Sequence, residues 1–294
     1  MCMSIESTRS VPVHVRALLN ADERLHLAWE IGREAANFLL TGRPVDLLVE
    51  TKSTSSDLVS AMDKGAEDII VTAIRARFPN DGILGEEGTS LESGNGVRWI
   101  IDPLDGTVNY LFGIPLWGVS IAVEDNGVVI AGVIVLPTQN EIYVASIDGG
   151  AWKVSVGSPT TTDAMSETQI HVRGTQEFSR ALLSTGFGYD PERRKAQGEL
   201  VAKLIPKIAD IRRSGCAVVD LCWLASGVTD GYYEYGLNAW DYAAGALLVS
   251  EAGGLVAGLE GADFSTFFIG STPALFEQMR QTLKELEAHS LLNF

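Results

Sequence analysis

The sequence predicts a mixed α/β protein of two packed halves, and the order of its apolar segments supports that prediction. In the first half, two amphipathic helices precede a run of strand-like segments separated by short turn sequences, which is typical of an antiparallel meander. From about residue 160 strands and helices alternate instead. No internal repeat or low-complexity linker interrupts the chain, so an N-terminal half, residues 1–160, and a C-terminal half, residues 161–294, are expected to pack closely.

The helices of the first half begin and end at recognisable signals. Residues 1–16 are expected to form a loose arm, after which a capping-box-like sequence at residues 20–23 begins a helix that Gly42 ends. A second helix is expected over residues 57–78, because Pro79 starts a helix-breaking turn. The remaining helices are predicted over residues 191–209, 216–226, 240–252 and 272–289.

Strands are predicted where β-branched and aromatic residues run between turn signals. The first is very short, begins at Ile83 and ends in a glycine-flanked acidic pair, Glu86-Glu87. The others are predicted over residues 97–101, 117–123, 128–136, 141–146, 151–156, 181–184 and 231–235.

The composition favours a globular acidic protein. The chain has 294 residues and is 46% hydrophobic, which is ample material for a core. Its 22 basic and 38 acidic residues give a formal net charge of −16, which repels nucleic acid and anionic membranes, so neither is expected as a partner. An anionic small substrate would meet the same repulsion, and a site for one would need bound cations.

The cysteines and the N-terminal sequence favour a cytoplasmic location. The three cysteines, Cys2, Cys216 and Cys222, have no zinc-knuckle or redox spacing and are interpreted as free thiols. The N-terminal sequence has no apolar signal-peptide segment, and the longest apolar run, residues 128–136, is too short to span a membrane.

Residues 99–109, Trp-Ile-Ile-Asp-Pro-Leu-Asp-Gly-Thr-Val-Asn, form the segment around which the chain is organised. A buried strand is expected to stop at Asp102, because Pro103 cannot continue the ladder. Asp102 and Asp105 then lie on one turn, and Gly106 and Thr107 open a helix with their amide groups pointing outward. Such a turn suits cations and a phosphate group.

Three acidic clusters begin or end apolar elements: the pair Glu86-Glu87, the pair Asp102 and Asp105, and Asp241 at a helix start. Each alone is most simply explained as a solvated loop or a helix cap. Together, with no Lys or Arg beside them in sequence, they would repel one another unless they shared cations. Ligands that offer only oxygen indicate Mg²⁺ rather than zinc or copper.

The spacing within the Asp-Gly-Thr segment bears on the mechanism. Haloacid-dehalogenase phosphatases use a nucleophilic Asp two residues before the Asp that precedes Gly-Thr, but here the separation between Asp102 and Asp105 is three. This register argues against an aspartyl-phosphate intermediate.

Three motifs in this order resemble the signatures of the inositol monophosphatase family, in particular its bacterial SuhB-type members. They are Gly85-Glu-Glu-Gly88, Asp102-Pro-Leu-Asp-Gly-Thr107, and Trp240-Asp-Tyr-Ala-Ala-Gly245 running on to Glu251-Ala-Gly-Gly254. The resemblance implies an αβαβα five-layer sandwich of the sugar-phosphatase type, generally a homodimer. It also implies phosphomonoester hydrolysis with two or three Mg²⁺ ions, for which Mn²⁺ is a possible substitute, and inhibition by Li⁺.

The resemblance also assigns the site residues. It makes Glu86, Asp102 and the backbone carbonyl of Leu104 ligands of a first metal, and Asp102, Asp105 and Asp241 ligands of a second. Glu86 and Thr107 would position the attacking water, with Asp63 supporting Thr107. The substrate-binding residues that it implies are Asp105, Gly106, Thr107, Ala217, Glu234 and Asp241, of which Gly106 and Thr107 bind phosphate oxygens and Ala217 and Glu234 meet the alcohol portion.

The substrate is left open by two departures from the animal members of the family, Asn238 in place of histidine and Cys216 in place of threonine. A phosphorylated polyol, inositol 1-phosphate, is the leading expectation, because the Glu234 carboxylate accepts hydrogen bonds from neighbouring hydroxyls. Histidinol phosphate, fructose 1,6-bisphosphate and 3′-phosphoadenosine nucleotides are the alternatives, together with a role exerted mainly through protein partners. The basic run at residues 193–195 is interpreted as an exposed helix face, although the resemblance places this region near the mouth of the site.

Overall fold

The computed structural model describes residues 11–43, 52–157, 165–286 and 288, and for residues 52–58 it describes the backbone alone. Within these ranges the chain forms an eight-stranded and a five-stranded sheet with α-helices between and outside them. The layers run helices, first sheet, helices, second sheet, helices, because three separate hydrophobic clusters join each sheet to the helices on its faces. The five-layer αβαβα sandwich is therefore confirmed.

The first sheet is a mostly antiparallel meander with strand order β2-β1-β3-β4-β5-β6-β7-β8. Its strands are β1 (Gly82–Gly85), β2 (Ser90–Leu91), β3 (Val97–Asp105), β4 (Gly118–Asp125), β5 (Val128–Leu136), β6 (Glu141–Ser146), β7 (Gly150–Ser155) and β8 (Ser166–Gln169). The strands predicted between residues 97 and 156 are confirmed. The edge strands β2 and β8 are short and largely polar. Their sequences show no apolar alternation that would predict a strand.

Alternation along β4 divides the core between the two faces of the first sheet. Val119, Ile121 and Val123 pack towards the outer helices, whereas Ala122 packs towards the middle layer. The outer helices are α1 (Val13–Ala21), α2 (Glu23–Gly42) and α3 (Lys52–Arg77). The Asp22 carboxylate caps α2 by accepting from the amides of Arg24 and Leu25, and α2 reaches Gly42 as predicted.

The expectation of a loose arm over residues 1–16 is wrong for its last part. Residues 13–16 belong to α1, and Val15 is fully buried. The carboxylate of Glu167, on β8, accepts hydrogen bonds from the amides of His14 and Val15 at 3.0 and 2.9 Å. This partner is remote in sequence, so local pattern alone did not predict the helix; residues 1–10 lie outside the described ranges.

The middle layer consists of α6 (Ala217–Ala225) and α7 (Ala239–Glu251), both close to their predicted bounds. α7 lies very close to β5, since a Cβ atom added at Gly132 would be 3.1 Å from the Cα of Ala244. Both helices are almost wholly apolar because they are covered on two sides by sheets.

The second sheet has strand order β10-β9-β11-β13-β12, and its outer face is covered by α5 (Pro191–Leu204) and α8 (Pro273–Glu285). Its strands are β9 (Leu182–Thr185), β10 (Asp210–Arg212), β11 (Gly231–Tyr235), β12 (Leu255–Gly258) and β13 (Phe267–Ser271). The sequence did not predict β10, β12 or β13. Two of them are short edge strands, and β13 is buried on both faces and so lacks alternation.

Two predicted helix ends differ from the observed ones. α5 ends at Leu204 rather than at residue 209, because Pro206 lies in a short 3₁₀ turn, Ile205–Lys207. α8 begins at Pro273 as predicted and ends at Glu285, whereas the predicted end, residue 289, lies outside the described ranges.

Candidate active site

A cavity of about 620 Å³ opens where the end of β3, the N-termini of α6 and α7, and β11 meet. Six carboxylate residues line it, together with two arginines and several backbone segments. Of the predicted site residues the cavity brings together nine, Glu86, Asp102, Leu104, Asp105, Gly106, Thr107, Ala217, Glu234 and Asp241. Asp63 is buried but does not line the cavity.

The end of β3 places the first aspartates. The strand was expected to stop at Asp102. It instead runs on to Asp105, and its register with β4 shifts between the two aspartates. That irregularity accommodates Pro103, which cannot donate to the ladder. Oδ1 of Asp102 accepts the amide of Leu104 at 2.9 Å, and only 1% of the residue is exposed.

Gly106 makes the turn from β3 into the short helix α4 (Thr107–Phe112). Its φ is +87°, and an added Cβ atom would lie 2.9 Å from the carbonyl oxygen of Leu116, so glycine is required on both counts. The hydroxyl of Thr107 donates to the carbonyl of Leu104 at 3.1 Å. The helix predicted to begin at Gly106 and Thr107 is present as α4.

Glu86 is held at the cavity by its own loop. Its amide donates to the carbonyl of Ile101 on β3 at 3.2 Å. The buried carboxylate of Glu67, on α3, accepts the amides of Glu87 and Thr89 at 2.9 and 3.1 Å and so fixes the turn that presents Glu86. The sequence analysis missed Glu67; its position on the inner face of a predicted helix, four residues after Asp63, is the available signal.

Asp105 and Asp241 are fixed by helix starts. Oδ2 of Asp105 accepts the amide of Val218 at 2.7 Å and lies 3.2 Å from Sγ of Cys216. Oδ2 of Asp241 accepts the amide of Asn238 at 2.7 Å, in a capping box that begins α7. The starts of α6 and α7, both in the middle layer, thus each fix one predicted metal ligand.

Burial and mutual repulsion raise the pKa values of these carboxyl groups. Burial is the main cause for each, and it raises the pKa of Asp105 to about 6 and that of Asp241 to about 7. The pKa of Asp102 is raised well above its ordinary value by burial and then by the charges of Glu86, Asp105 and Asp241. Such a group of carboxylates is destabilised when ionised unless a cation neutralises it.

The donor set fits a hard divalent cation, since it offers carboxylate and carbonyl oxygens alone. Within the described ranges, however, no group of three or more His, Cys, Asp or Glu side chains is already arranged to hold a metal ion. The ligand assignments stay predictions.

Asp63 lies beneath the site. Burial, followed by the charges of Glu87 and Glu86, raises its pKa to about 8. Its Oδ1 atom has no hydrogen-bond partner in the described part of the chain, nor does a hydrogen bond link it to Thr107 there. Its predicted support of Thr107 therefore stays a prediction.

Glu234 lies on β11 and lines the cavity. The hydroxyl of Tyr232 donates to its Oε2 atom at 2.6 Å, and burial raises its pKa to about 7. The carboxylate packs directly on Gly186, where any side chain would collide with it. The sequence analysis missed Gly186, because a single glycine after a strand looks like an ordinary turn residue.

Two arginines also line the cavity, and one of them corrects the interpretation of the basic run. Arg193 is partly buried at the cavity wall, whereas its neighbours Arg194 and Lys195 are exposed. Arg213 and the highly exposed Tyr189 lie at the same cavity. Arg193 was not predicted as a site residue because its neighbours have the charge pattern of a solvated face.

The fold and the site define the class of protein. A model of the inositol monophosphatase family matches residues 20–291, and the chain belongs to this family. Among solved structures it is similar to SuhB of Mycobacterium tuberculosis, with a TM-score of 0.76 and 33% identity over 90% of this chain and 96% of the other. It is also similar to the inositol monophosphatase of Anabaena, with a TM-score of 0.74 and 30% identity over 90% of this chain and 97% of the other.

Curated relatives of the chain carry two kinds of name. The inositol-1-monophosphatase SuhB of Mycobacterium tuberculosis is 38% identical over 216 residues, 72% of each chain. The Nus factor SuhB of Xylella fastidiosa is 40% identical over 233 residues, 79% of this chain and 80% of the relative. Family membership indicates a metal-dependent phosphatase acting on phosphorylated substrates. In the part of the chain that the structure describes, no helix has the length and apolarity needed to span a membrane.

Proposed function

We propose that the chain is a Mg²⁺-dependent phosphomonoesterase that hydrolyses inositol 1-phosphate to inositol and phosphate. The main observation in its favour is the cavity in which an oxygen-only donor set, the start of α4 and the carboxylate of Glu234 meet. The donor set suits Mg²⁺, with Mn²⁺ as a substitute, and Glu234 suits a polyol. Li⁺ sensitivity and a homodimer belong to the same proposal and rest on the family.

Two groups of residues would hold the ions. Glu86, Asp102 and the carbonyl of Leu104 would form one site, and Asp102, Asp105 and Asp241 the other. When bound, the ions supply a nucleophilic water near neutral pH and neutralise charge on the phosphate and the leaving oxygen. No covalent enzyme intermediate is needed.

The remaining residues orient the reacting groups. Glu86 and Thr107 would accept protons of the attacking water in hydrogen bonds, and the amides of Gly106 and Thr107 would donate to phosphate oxygens. The Thr107 hydroxyl, which already donates to the carbonyl of Leu104, has its oxygen lone pairs left to accept from that water. Asp63 would support Thr107 from below.

Glu234 and the backbone at Ala217 would meet the alcohol portion of the substrate. The Tyr232 hydroxyl occupies one oxygen of Glu234, which leaves the other for a substrate hydroxyl. A carboxylate in this place suits vicinal hydroxyls, but the cation of histidinol phosphate also suits it. Histidinol phosphate therefore stays an alternative. Fructose 1,6-bisphosphate and 3′-phosphoadenosine nucleotides stay alternatives as well.

A phosphate-release assay tests the proposal. Inositol 1-phosphate, histidinol phosphate, fructose 1,6-bisphosphate and 3′-phosphoadenosine 5′-phosphate would each be offered with Mg²⁺, with Mn²⁺ and with chelator. We expect release only with the divalent cation, highest kcat/KM for inositol 1-phosphate, and inhibition by Li⁺. Higher kcat/KM for another substrate would move the assignment within the family, and release that persists in chelator would contradict the metal-dependent mechanism.

A second candidate is a function exerted mainly through protein partners. It is favoured by relatives that are named Nus factor SuhB, one of them 40% identical to this chain. A folded protein that releases no phosphate from any of the four substrates with Mg²⁺ would favour this candidate. Light scattering on the purified chain would test the homodimer.

A further inference from the structure

Asp220 is a buried carboxyl group at the cavity to which neither the metal ligands nor the substrate contacts assign a role. It lies in the first turn of α6 and belongs to the cavity wall, yet only 1% of the residue is exposed. Its Oδ1 atom is buried and has no hydrogen-bond partner in the part of the chain that the structure describes. An ionised carboxylate in such a place would be strongly destabilised.

The other oxygen of Asp220 contacts a serine hydroxyl that is already engaged. Oδ2 lies 2.6 Å from Oγ of Ser214. The same Oγ atom lies 2.9 Å from the carbonyl oxygen of Cys216 and accepts the amide of that residue at 3.1 Å. A serine hydroxyl has one proton to donate and two lone pairs to accept with. It cannot donate to both oxygens, so all three contacts are hydrogen bonds only if Asp220 carries a proton on Oδ2 and donates it to Ser214.

The electrostatic surroundings of Asp220 agree with this proton count. Burial raises its pKa well above the ordinary value, and the hydrogen bond with Ser214 opposes that effect without cancelling it. The charges of Glu234 and Asp105 raise the pKa further, whereas Arg213 lowers it less than burial raises it. A neutral acid adds no further negative charge to a cavity that five other acidic residues line.

The turn at Ser214 determines how α6 begins. Cys216 is the N-cap residue of α6, and its own side chain caps no amide of the helix. The Ser214 hydroxyl instead binds both the amide and the carbonyl of Cys216. Directly after this turn, the amide of Val218 donates to Oδ2 of Asp105 at 2.7 Å, and Sγ of Cys216 lies 3.2 Å from the same oxygen. The contacts that orient Asp105 therefore depend on the turn that Ser214 and Asp220 close.

We infer that Asp220 is a positioning residue that, as a neutral acid, donates to Ser214 and so holds the start of α6 against Asp105. The inference rests on the proposed function, because Asp105 is assigned there as a ligand of the second ion. It requires a hydrogen-bond donor at position 220 and no negative charge.

Two substitutions of Asp220 separate the donor from the charge. Asp220→Asn keeps a neutral donor of nearly the same shape, whereas Asp220→Ala keeps none. The Kd for Mg²⁺ is measured from the rise in melting temperature of the metal-free protein as Mg²⁺ is added. We expect this Kd to stay within about twofold of wild type in Asp220→Asn and to increase about tenfold in Asp220→Ala, as the loss of one buried hydrogen bond implies. The Mg²⁺ concentration for half-maximal phosphate release from p-nitrophenyl phosphate should change in the same proportion.

Two further variants complete the experiment. Ser214→Ala removes the acceptor and should raise the Kd for Mg²⁺ as Asp220→Ala does, so the inference stays testable if alanine at position 220 prevents folding. Asp105→Asn is the matched control, because it makes the same chemical change as Asp220→Asn at a predicted ligand. It should weaken Mg²⁺ binding strongly, since a ligand of the ion needs its charge.

The outcomes distinguish this inference from the function on which it rests. An equal loss of Mg²⁺ affinity in Asp220→Asn and Asp220→Ala would overturn the inference, because the negative charge would then be the property that matters. A lower melting temperature in Asp220→Ala and Ser214→Ala with an unchanged Kd would also overturn it, since the turn would then support the fold alone. An unchanged Kd in Asp105→Asn, or a wild-type protein that releases no phosphate with Mg²⁺, would instead contradict the proposed function.

Discussion

Sγ of Cys216 lies 3.2 Å from Oδ2 of Asp105, the oxygen that also accepts the amide of Val218. A buried thiol thus donates to a predicted metal ligand, in a position where the family resemblance indicates that animal members often carry threonine. We predict that Cys216→Ser retains activity, because a hydroxyl donates at least as well, and that Cys216→Val lowers it. The expected cost is about 1 kcal/mol, below the usual range for a hydrogen bond to a charged group, because the thiol is a weak donor. Mg²⁺ titration of phosphate release measures the effect, and equal behaviour of the two variants would mean that the thiol only fills space.

Asp102 is the residue proposed to contact both ions, and Asp102→Asn should abolish Mg²⁺-dependent phosphate release. The asparagine keeps an oxygen to accept the amide of Leu104, so the turn should survive. Removing one charge from a repulsive group should also leave the melting temperature of the metal-free protein unchanged or higher. Asp68→Asn, an exposed change on α3, is the matched control and should keep full activity. Near-wild-type turnover by the Asp102 variant would remove this residue from the metal site.

The raised pKa values predict how the stability of the metal-free protein depends on pH. The folded chain binds protons at Asp105, Asp241 and Asp63 with pKa values of about 6, 7 and 8, whereas the ordinary value is 3.8. Between these limits the folded state holds more protons than the unfolded state, so the free energy of unfolding falls as pH rises from about 4 to 8. Melting curves in chelator should show this decline.

Mg²⁺ provides the control for that experiment. Binding to the folded state alone adds RT ln(1 + [L]/Kd), about 2.7 kcal/mol at a hundredfold excess over Kd. The melting temperature at pH 8 should therefore rise with millimolar Mg²⁺ and not with Na⁺ at equal ionic strength. A response to both salts alike would indicate screening of surface charge rather than a divalent site.

Glu234→Gln should discriminate between substrates. If the carboxylate binds polyol hydroxyls, kcat/KM for inositol 1-phosphate should fall. The fall should correspond to a loss of about 1–3 kcal/mol of transition-state stabilisation, the range for charge-assisted hydrogen bonds. p-Nitrophenyl phosphate has no hydroxyls to offer, so its hydrolysis should hardly change. Equal losses on both substrates would mean that Glu234 supports the metal site and does not bind the alcohol.

Several elements were predictable because local pattern determines them. Strand β5 has a continuous apolar run between two turn sequences, and β11, which is rich in tyrosine, was predicted at its observed bounds. Helix α1 and strand β8 were missed because each depends on the other: Glu167 caps the start of α1 across a gap of more than 150 residues. No local signal carries such information.

The carboxylates that line the cavity were predictable from the sequence, whereas the rest of its walls was less so. Carboxylates at the ends of apolar elements stand out in sequence, and the family resemblance assigned their roles. Gly186 and Arg193 do not stand out, since a glycine after a strand and an arginine in a basic run have common local explanations. Their place at the cavity follows from how β9, α5 and β11 pack, which only the tertiary structure provides.

The hydrogen bond from the amide of Val218 to Asp105 joins residues 113 positions apart, one on the first sheet and one on the middle layer. That amide can exchange its proton for deuterium only when the two elements separate, or when α6 itself frays. Its exchange rate therefore reports on the integrity of the reaction centre without any substrate. A ligand that bridges the cavity should slow this exchange more than the exchange of amides in the outer helices, which detects binding independently of turnover.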